Sequence, residues 1–188
     1  MGMRDAVHRH LGQLVPEGDA MLEVLRGATL VAATVTMGLL AGLFYAFAIS
    51  VMPGLSRADD RTFVDAMQQI NVAILNPWFF LSFLGAPVLT ILAGALHLRV
   101  GGRAVLPWIA AALVLYGVVL VITIAFGIPL NNVLAEAGQP DRITDLAQVR
   151  EHFQATWVRW IAARAVASTA ALGCLAWALV LYGRTAAA

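Results

Sequence analysis

Arg164 follows the run Trp157-Val158-Arg159-Trp160, and after it no charged residue appears until Arg184. A guanidinium presents five N–H donors in a planar fork, which suits it to hold a substrate oxygen or an enolate on which negative charge develops. At 100° per residue, Phe153, Trp157, Trp160 and Ser168 all fall within about 40° of Arg164. One helix face therefore carries an arginine about two turns inside the apolar run, beneath two indoles. An arginine at the centre of such a helix costs on the order of 3 kcal/mol and usually turns toward a bundle interior with a partner. Plainer roles also fit: the arginine as a snorkelling or cross-linking side chain, the indoles as a membrane-interface belt.

Arg164, Asn131, Trp157 and Trp160 form the candidate catalytic set. Tyr45, Gln68, Asn71 and Asn132 are candidate substrate-binding groups, because all four fall near one end of the spans proposed below. In membrane bundles, phenols and amides commonly link helices instead. His8, His10, His97 and His152 do not resemble a metal site, since zinc or copper needs three or four converging ligands. His152 is a candidate general base because its ordinary pKa lies near neutrality, although it is about 120° off the Arg164 face. Cys174 is the one cysteine, so neither an intrachain disulfide nor a sulfur-ligated metal is expected. No nucleotide loop, nucleophile elbow or haem attachment motif is present. The expectation is a protein without metal, haem or flavin.

The elements that position these residues follow from composition. Of the 188 residues, 61% are hydrophobic and 12% charged, against roughly 45–50% and 25% in soluble domains. A net charge of +1 supplies no field for a polyanion, so no nucleic acid partner is expected. An all-α integral membrane bundle of four transmembrane helices is predicted, with spans at about 28–51, 78–98, 106–126 and 156–182, each near the 20 or so residues needed to cross the hydrocarbon. Residues 1–27 form a polar N-terminal segment, 28–183 the membrane domain and 184–188 a tail. Pro53 and Gly54 are expected to end span one, and Gly127 and Pro129 span three. Asp59 or Asp60 caps a short amphipathic helix in which Phe63, Met67, Ile70 and Ile74 recur at helical spacing. Asn76-Pro77 breaks that helix and starts span two, which Pro87 should kink.

Trp78, Trp108, Trp157, Trp160, Trp177 and Tyr182 fall near span ends, as headgroup-level aromatics do. Arg4, Arg9, Arg26, Arg99, Arg103 and Arg184 fall on one side, and Arg57, Arg61, Arg142 and Arg150 on the other. Six against four favours both termini in the cytoplasm. Basic residues that are all arginine, with no lysine, suggest a high-GC bacterial genome and hence the bacterial plasma (inner) membrane. The two halves share a plan: a proline-ended span, a long segment, then a tryptophan-started span. Gly38 with Gly42, and Ala163 with Ala167, are small-residue pairs suited to close helix packing and to a homo-oligomer.

The segments Gly42-Leu43-Phe44-Tyr45-Ala46-Phe47, Val51-Met52-Pro53-Gly54-Leu55, Ala66-Met67-Gln68-Gln69-Ile70-Asn71, Pro129-Leu130-Asn131-Asn132 and Trp157-Val158-Arg159-Trp160 with Arg164 together resemble the anthrone oxygenase-like family of small four-helix membrane proteins. The resemblance spans about Ala28 to Gly183. It implies oxidation of a reduced aromatic polyketide to a quinone by dioxygen, without a cofactor, in some members. Arg164 and Asn131 would suit the donor role toward an enolate. The family pattern favours asparagine where this chain has Gly127 and Ile161, and no catalytic residue is carried over from it. Two functions from different classes remain: an oxygenase acting on a hydrophobic aromatic small molecule, and a non-catalytic module that binds membrane lipid or a partner membrane protein.

The arginine distribution makes a topological prediction. Cysteines placed at Ser56 and Gln139 in a Cys174→Ser background should react with an impermeant thiol reagent in intact cells. Protection of both, with labelling at the termini, would reverse the topology.

Overall fold

The computed structural model describes the backbone of residues 3–98 and 103–186, and the side chains of 18, 20–98 and 103–185. Arg4, Arg9, Arg99, His8 and His10 have their side chains outside the described residues. Every regular element described is helical: α1 (Met3–Ala46), α2 (Met52–Leu55), α3 (Asp60–Ala73), α4 (Pro77–His97), α5 (Leu106–Ile122), α6 (Ile128–Glu136) and α7 (Leu146–Ala186), with π-helical segments at Phe47–Val51 and Thr123–Gly127. Four stretches are long and apolar enough to cross a membrane: Ala20–Leu55, Pro77–His97, Arg103–Glu136 and Leu146–Thr185. The chain is a multi-pass membrane protein with an all-α fold.

A heptad-like rhythm builds the bundle. Leu30, Ala33, Met37, Leu40 and Phe44 of α1 are buried, as are Ile109, Ala112, Tyr116 and Val119 of α5. On α7 the buried series is Phe153, Trp157, Ile161, Arg164, Ser168, Ala171, Leu175 and Ala178. Spacings of three and four keep one stripe turned toward neighbouring helices, the geometry of left-handed four-helix bundles. α1 packs on α4 and α7, and α5 packs on α7 and α4. The opposite faces expose Val31, Val35, Leu39, Val88, Ile91, Val114, Val118 and Val121, as befits helices whose outer solvent is lipid. Gly38 lies 3.6 Å, measured from an added Cβ, from Leu172 of α7, so that small residue serves packing within the chain.

Pro53 and Gly54 stand just before the end of the first helical stretch at Leu55, as expected, whereas Gly127 and Pro129 do not stop theirs, which runs on to Glu136. Proline cannot donate to the carbonyl four residues back, and its ring crowds that carbonyl. In both halves a five-residue π-segment ends two residues before the proline. There Met52 N–H donates to the Phe47 carbonyl and Ile128 N–H to the Thr123 carbonyl. The wider turn lets the helix pass through, so Asn131 and Asn132 stand on a helix instead of in a loop. π-bulges of this kind are frequent at functional sites.

Pro87 lies within α4 and leaves the Phe83 carbonyl without its usual donor. The Tyr116 hydroxyl donates to that carbonyl, which gives a buried phenol a partner and joins α5 to α4.

α3 is tied down at both ends. Asp59 caps it, accepting from Thr62 N–H at 3.0 Å; these hydrogen bonds favour the carboxylate and hold the Asp59 pKa below its ordinary value. Arg150 clasps the preceding turn, donating to Asp60 (2.9 Å), the Ala58 carbonyl (2.8 Å) and the Ser56 carbonyl (2.7 Å) while covering the Phe63 ring at 4.7 Å. Gln68 Nε2 donates to the Leu134 and Gly138 carbonyls at 2.8 and 2.9 Å. Asn76 then caps α4, accepting from Trp78 and Phe79 N–H groups. At the far end of the bundle Arg26 donates to the Leu96 carbonyl, Tyr182 to the Glu23 carbonyl, and His97 is buried with Nδ1 2.7 Å from the Ala93 carbonyl.

Tyr116→Phe should destabilise the bundle by about 1 kcal/mol, because a buried carbonyl loses its donor. In a Pro87→Ala background residue 87 regains an N–H for that carbonyl, so the penalty should shrink. Unfolding in detergent across the four-protein cycle measures both.

Candidate functional site

The π-segments and α3 frame a cavity of about 180 Å³ between α1, α3, α4, α6 and α7. An engineered apolar cavity of about 150 Å³ takes up benzene, so this one is sized for an aromatic ring system. Its walls are Phe44 and Phe47 from the first helix, Phe79, Phe80 and Phe83 from α4, Ile70 and Ile74 from α3, Ile128 from α6, and Trp157 and Ile161 from α7. Phe79 and Phe83 stack one turn apart with centroids 5.2 Å apart, and Phe47 and Trp157 approach at 5.9 Å.

Polar groups are few, and three of them carry the site. Arg164 is 8% exposed and lines the cavity. Its Cζ lies 5.0 Å from the Phe44 ring centroid and 5.8 Å from that of Trp157, so aromatic faces supply its nearest electrostatic support. Its buried Nε has no hydrogen-bond partner among the described residues. Ser168, on the same face, donates instead to the Arg164 and Ala165 carbonyls of its own helix. Gly127 makes room for the guanidinium, since a Cβ there would stand 3.4 Å from Nη1.

Asn131 is oriented by Trp157, whose indole Nε1–H donates to Oδ1 at 3.0 Å. An indole only donates, so the amide oxygen must face it and Nδ2 turns elsewhere as a donor. Asn71 also lines the cavity, and its buried Nδ2 has no hydrogen-bond partner among the described residues. Thr123 donates to the Val119 carbonyl at 2.8 Å.

Four of the eight candidate residues do not reach this cavity. Tyr45 is 55% exposed, because one helical step rotates it about 100° from Phe44, which takes the inner position. Asn132 is exposed for the same reason beside Asn131, and lines a wider groove of about 660 Å³ between α3 and α6. Gln68 lines that groove too, spent on the two α6-end carbonyls. Trp160 is half-buried and stacks on Phe126 at 3.9 Å, one step outside the heptad stripe. The groove adjoins the cavity through Asn71, Ile74, Leu75, Ile128 and Asn131, which line both. His152 is exposed and lines a separate groove. Among the described residues no group of three or more His, Cys, Asp and Glu side chains is placed to hold a metal ion.

Phe44, Phe47, Phe79, Phe83, Thr123 and Gly127 were not singled out as site residues by type. Phe79 and Phe83 carry a one-turn spacing that signals a shared face, whereas Gly127 is marked only by the family pattern, which favours asparagine there.

The family model described as Anthrone oxygenase matches residues 78–174, just over half of the chain. The chain belongs to the anthrone oxygenase family. The matched part of this anthrone oxygenase family member contains Asn131, Trp157 and Arg164, and also Gly127 and Ile161, which line the cavity. The walls from α1 and α3, with Phe44 and Asn71, fall outside the match. No curated protein and no solved structure matches the chain.

If Trp157 orients Asn131, Trp157→Phe should cost on the order of 1 kcal/mol by removing the donor to the part-buried amide oxygen. Combined with Asn131→Leu, the two losses should be clearly non-additive. Unfolding midpoints of the parent, both single variants and the double variant check this.

Proposed function

We propose that this family member oxidises a hydrophobic, anthrone-like aromatic with dioxygen, using no cofactor. The observation that carries this reading is a guanidinium with no counter-charge among the described residues, in a cavity walled by aromatic rings. A flat aromatic would lie among Phe44, Phe79, Phe83 and Trp157, its carbonyl oxygen toward Arg164 and Asn131. Loss of a C–H proton gives an enolate, whose charge collects on that oxygen and meets the donors. The carbanionic carbon then forms a C–O bond with dioxygen, giving a hydroperoxide. Loss of the second C–H proton with cleavage of the O–O bond releases water and leaves the new carbonyl. Two C–H bonds are lost, the carbon is oxidised to a ketone, and dioxygen is reduced to one carbonyl oxygen and one water. We place the protein in a bacterial plasma membrane with both termini cytoplasmic, so that the groove between α3 and α6 faces outward.

The test is oxygen uptake with anthrone by the purified chain in lipid nanodiscs, with product followed by quinone absorbance. Arg164→Lys should insert normally yet lose at least tenfold in rate, since an ammonium replaces a planar fork by a compact charge. Anthrone binding without any oxygen uptake above the uncatalysed rate would favour the binding-module reading. Unchanged turnover in Arg164→Lys would remove Arg164 from the site.

A further inference from the structure

The cavity offers donors but no base. Arg164 is more than nine-tenths buried with Nε unpartnered, and Asn71 Nδ2 is buried and unpartnered on the same cavity. Asn131 has its acceptor oxygen taken by Trp157, which leaves a third donor. Among the described residues that line the cavity there is no Asp, Glu, His, Lys, Cys or Tyr. Such a set is complementary to a ligand that brings acceptors and negative charge, and an unpaired cation in an apolar site favours the ionised form of any acid placed beside it.

We infer that the cavity binds its aromatic ligand as an oxyanion, an ionised phenol or enol, whose proton passes to water and not to a protein base. This rests on the oxygenase reading for its biological setting, since the enol tautomer of an anthrone loses its O–H proton to give the same anion that C–H ionisation gives. The O–H bond breaks, its electron pair stays on oxygen against Arg164, and the proton leaves as hydronium. The adjoining groove lined by Gln68, Asn132 and Gln139 gives that proton a polar way out. The arginine thus acts by lowering the pKa of what it binds, and a catalytic base is dispensable.

The probe is 2-naphthol, whose neutral and ionised forms differ in absorbance, titrated with pH in nanodiscs of zwitterionic lipid, with protein-free nanodiscs as blank. Bound 2-naphthol should ionise at least one pH unit below the free probe, and Arg164→Gln should abolish that shift. A second test needs no variant and uses the parent alone in competition: 2-naphthoate should bind at least tenfold more tightly than the neutral 2-naphthamide of the same shape. An unshifted or raised ionisation of bound 2-naphthol, or equal affinity for naphthoate and naphthamide, would overturn the inference. Oxygen uptake with anthrone separates the two readings. Turnover with no anion preference sinks this inference and leaves the oxygenase, whereas anion preference without turnover keeps this inference and sinks the oxygenase.

Discussion

A positive charge held inside a greasy bundle must be answered by something, and among the described residues no acidic side chain pairs with Arg164. It takes a core position in the buried stripe of α7, where Ile161 lies three residues before it, Ser168 four after, and Trp157 and Ala171 seven to either side. Insertion of such a residue costs on the order of 3 kcal/mol. The nearby aromatic faces of Phe44 and Trp157 recover part of that. The surrounding architecture then reads as the means of keeping room around this one group: Gly127 gives up a side chain, Trp157 turns the Asn131 amide, and Arg150 and Gln68 pin α3 so that Asn71 closes one side.

The paired π-segments are the second structural theme. Each half of the chain places five π-helical residues just before a proline, and residues of both segments, Phe47 from the first and Thr123 with Gly127 from the second, meet at the cavity. The extra residue in such a turn shifts the phase of everything beyond it, which re-aims the side chains of α6 relative to α5. A proline that would break a soluble helix thereby becomes compatible with a continuous span, and the local widening lies beside the binding site. Pro87 on α4 is handled differently, by a borrowed hydroxyl from Tyr116.

Much of this was legible in the sequence because lipid imposes length and charge rules on a chain more strictly than water does. The uncharged runs gave four spans, Asn76-Pro77 marked a true break, and the helical wheel placed Phe153, Trp157 and Ser168 with Arg164 on the buried face. Trp160 failed because the adjacent Ile161 takes the stripe position; the angle alone does not decide, since Ser168 lies equally far to the other side and is buried. Tyr45 and Asn132 failed by a single residue each: adjacent positions diverge by 100°, and a uniformly apolar helix offers no contrast that tells which one points inward. Gly127 and Pro129 were misread as a stop because the penalty on an internal proline assumes a strict α-helix, and a π-turn evades it. The α1 and α4 walls were invisible for a related reason, since apolar residues line the lipid and the cavity alike.

Residues that serve a ligand tend to cost the fold stability, whereas residues that serve the fold contribute to it. A buried charge costs the fold unless it is paired and hydrogen-bonded, so replacing an unpaired one by an apolar side chain of similar length should stabilise the bundle. The account is therefore tested most directly by the ligand-free unfolding midpoint of Arg164→Met against the parent in the same detergent. A midpoint raised by several degrees is the predicted result. A lowered midpoint would show that Arg164 is a structural cross-link of the bundle, and the site built around it would fall.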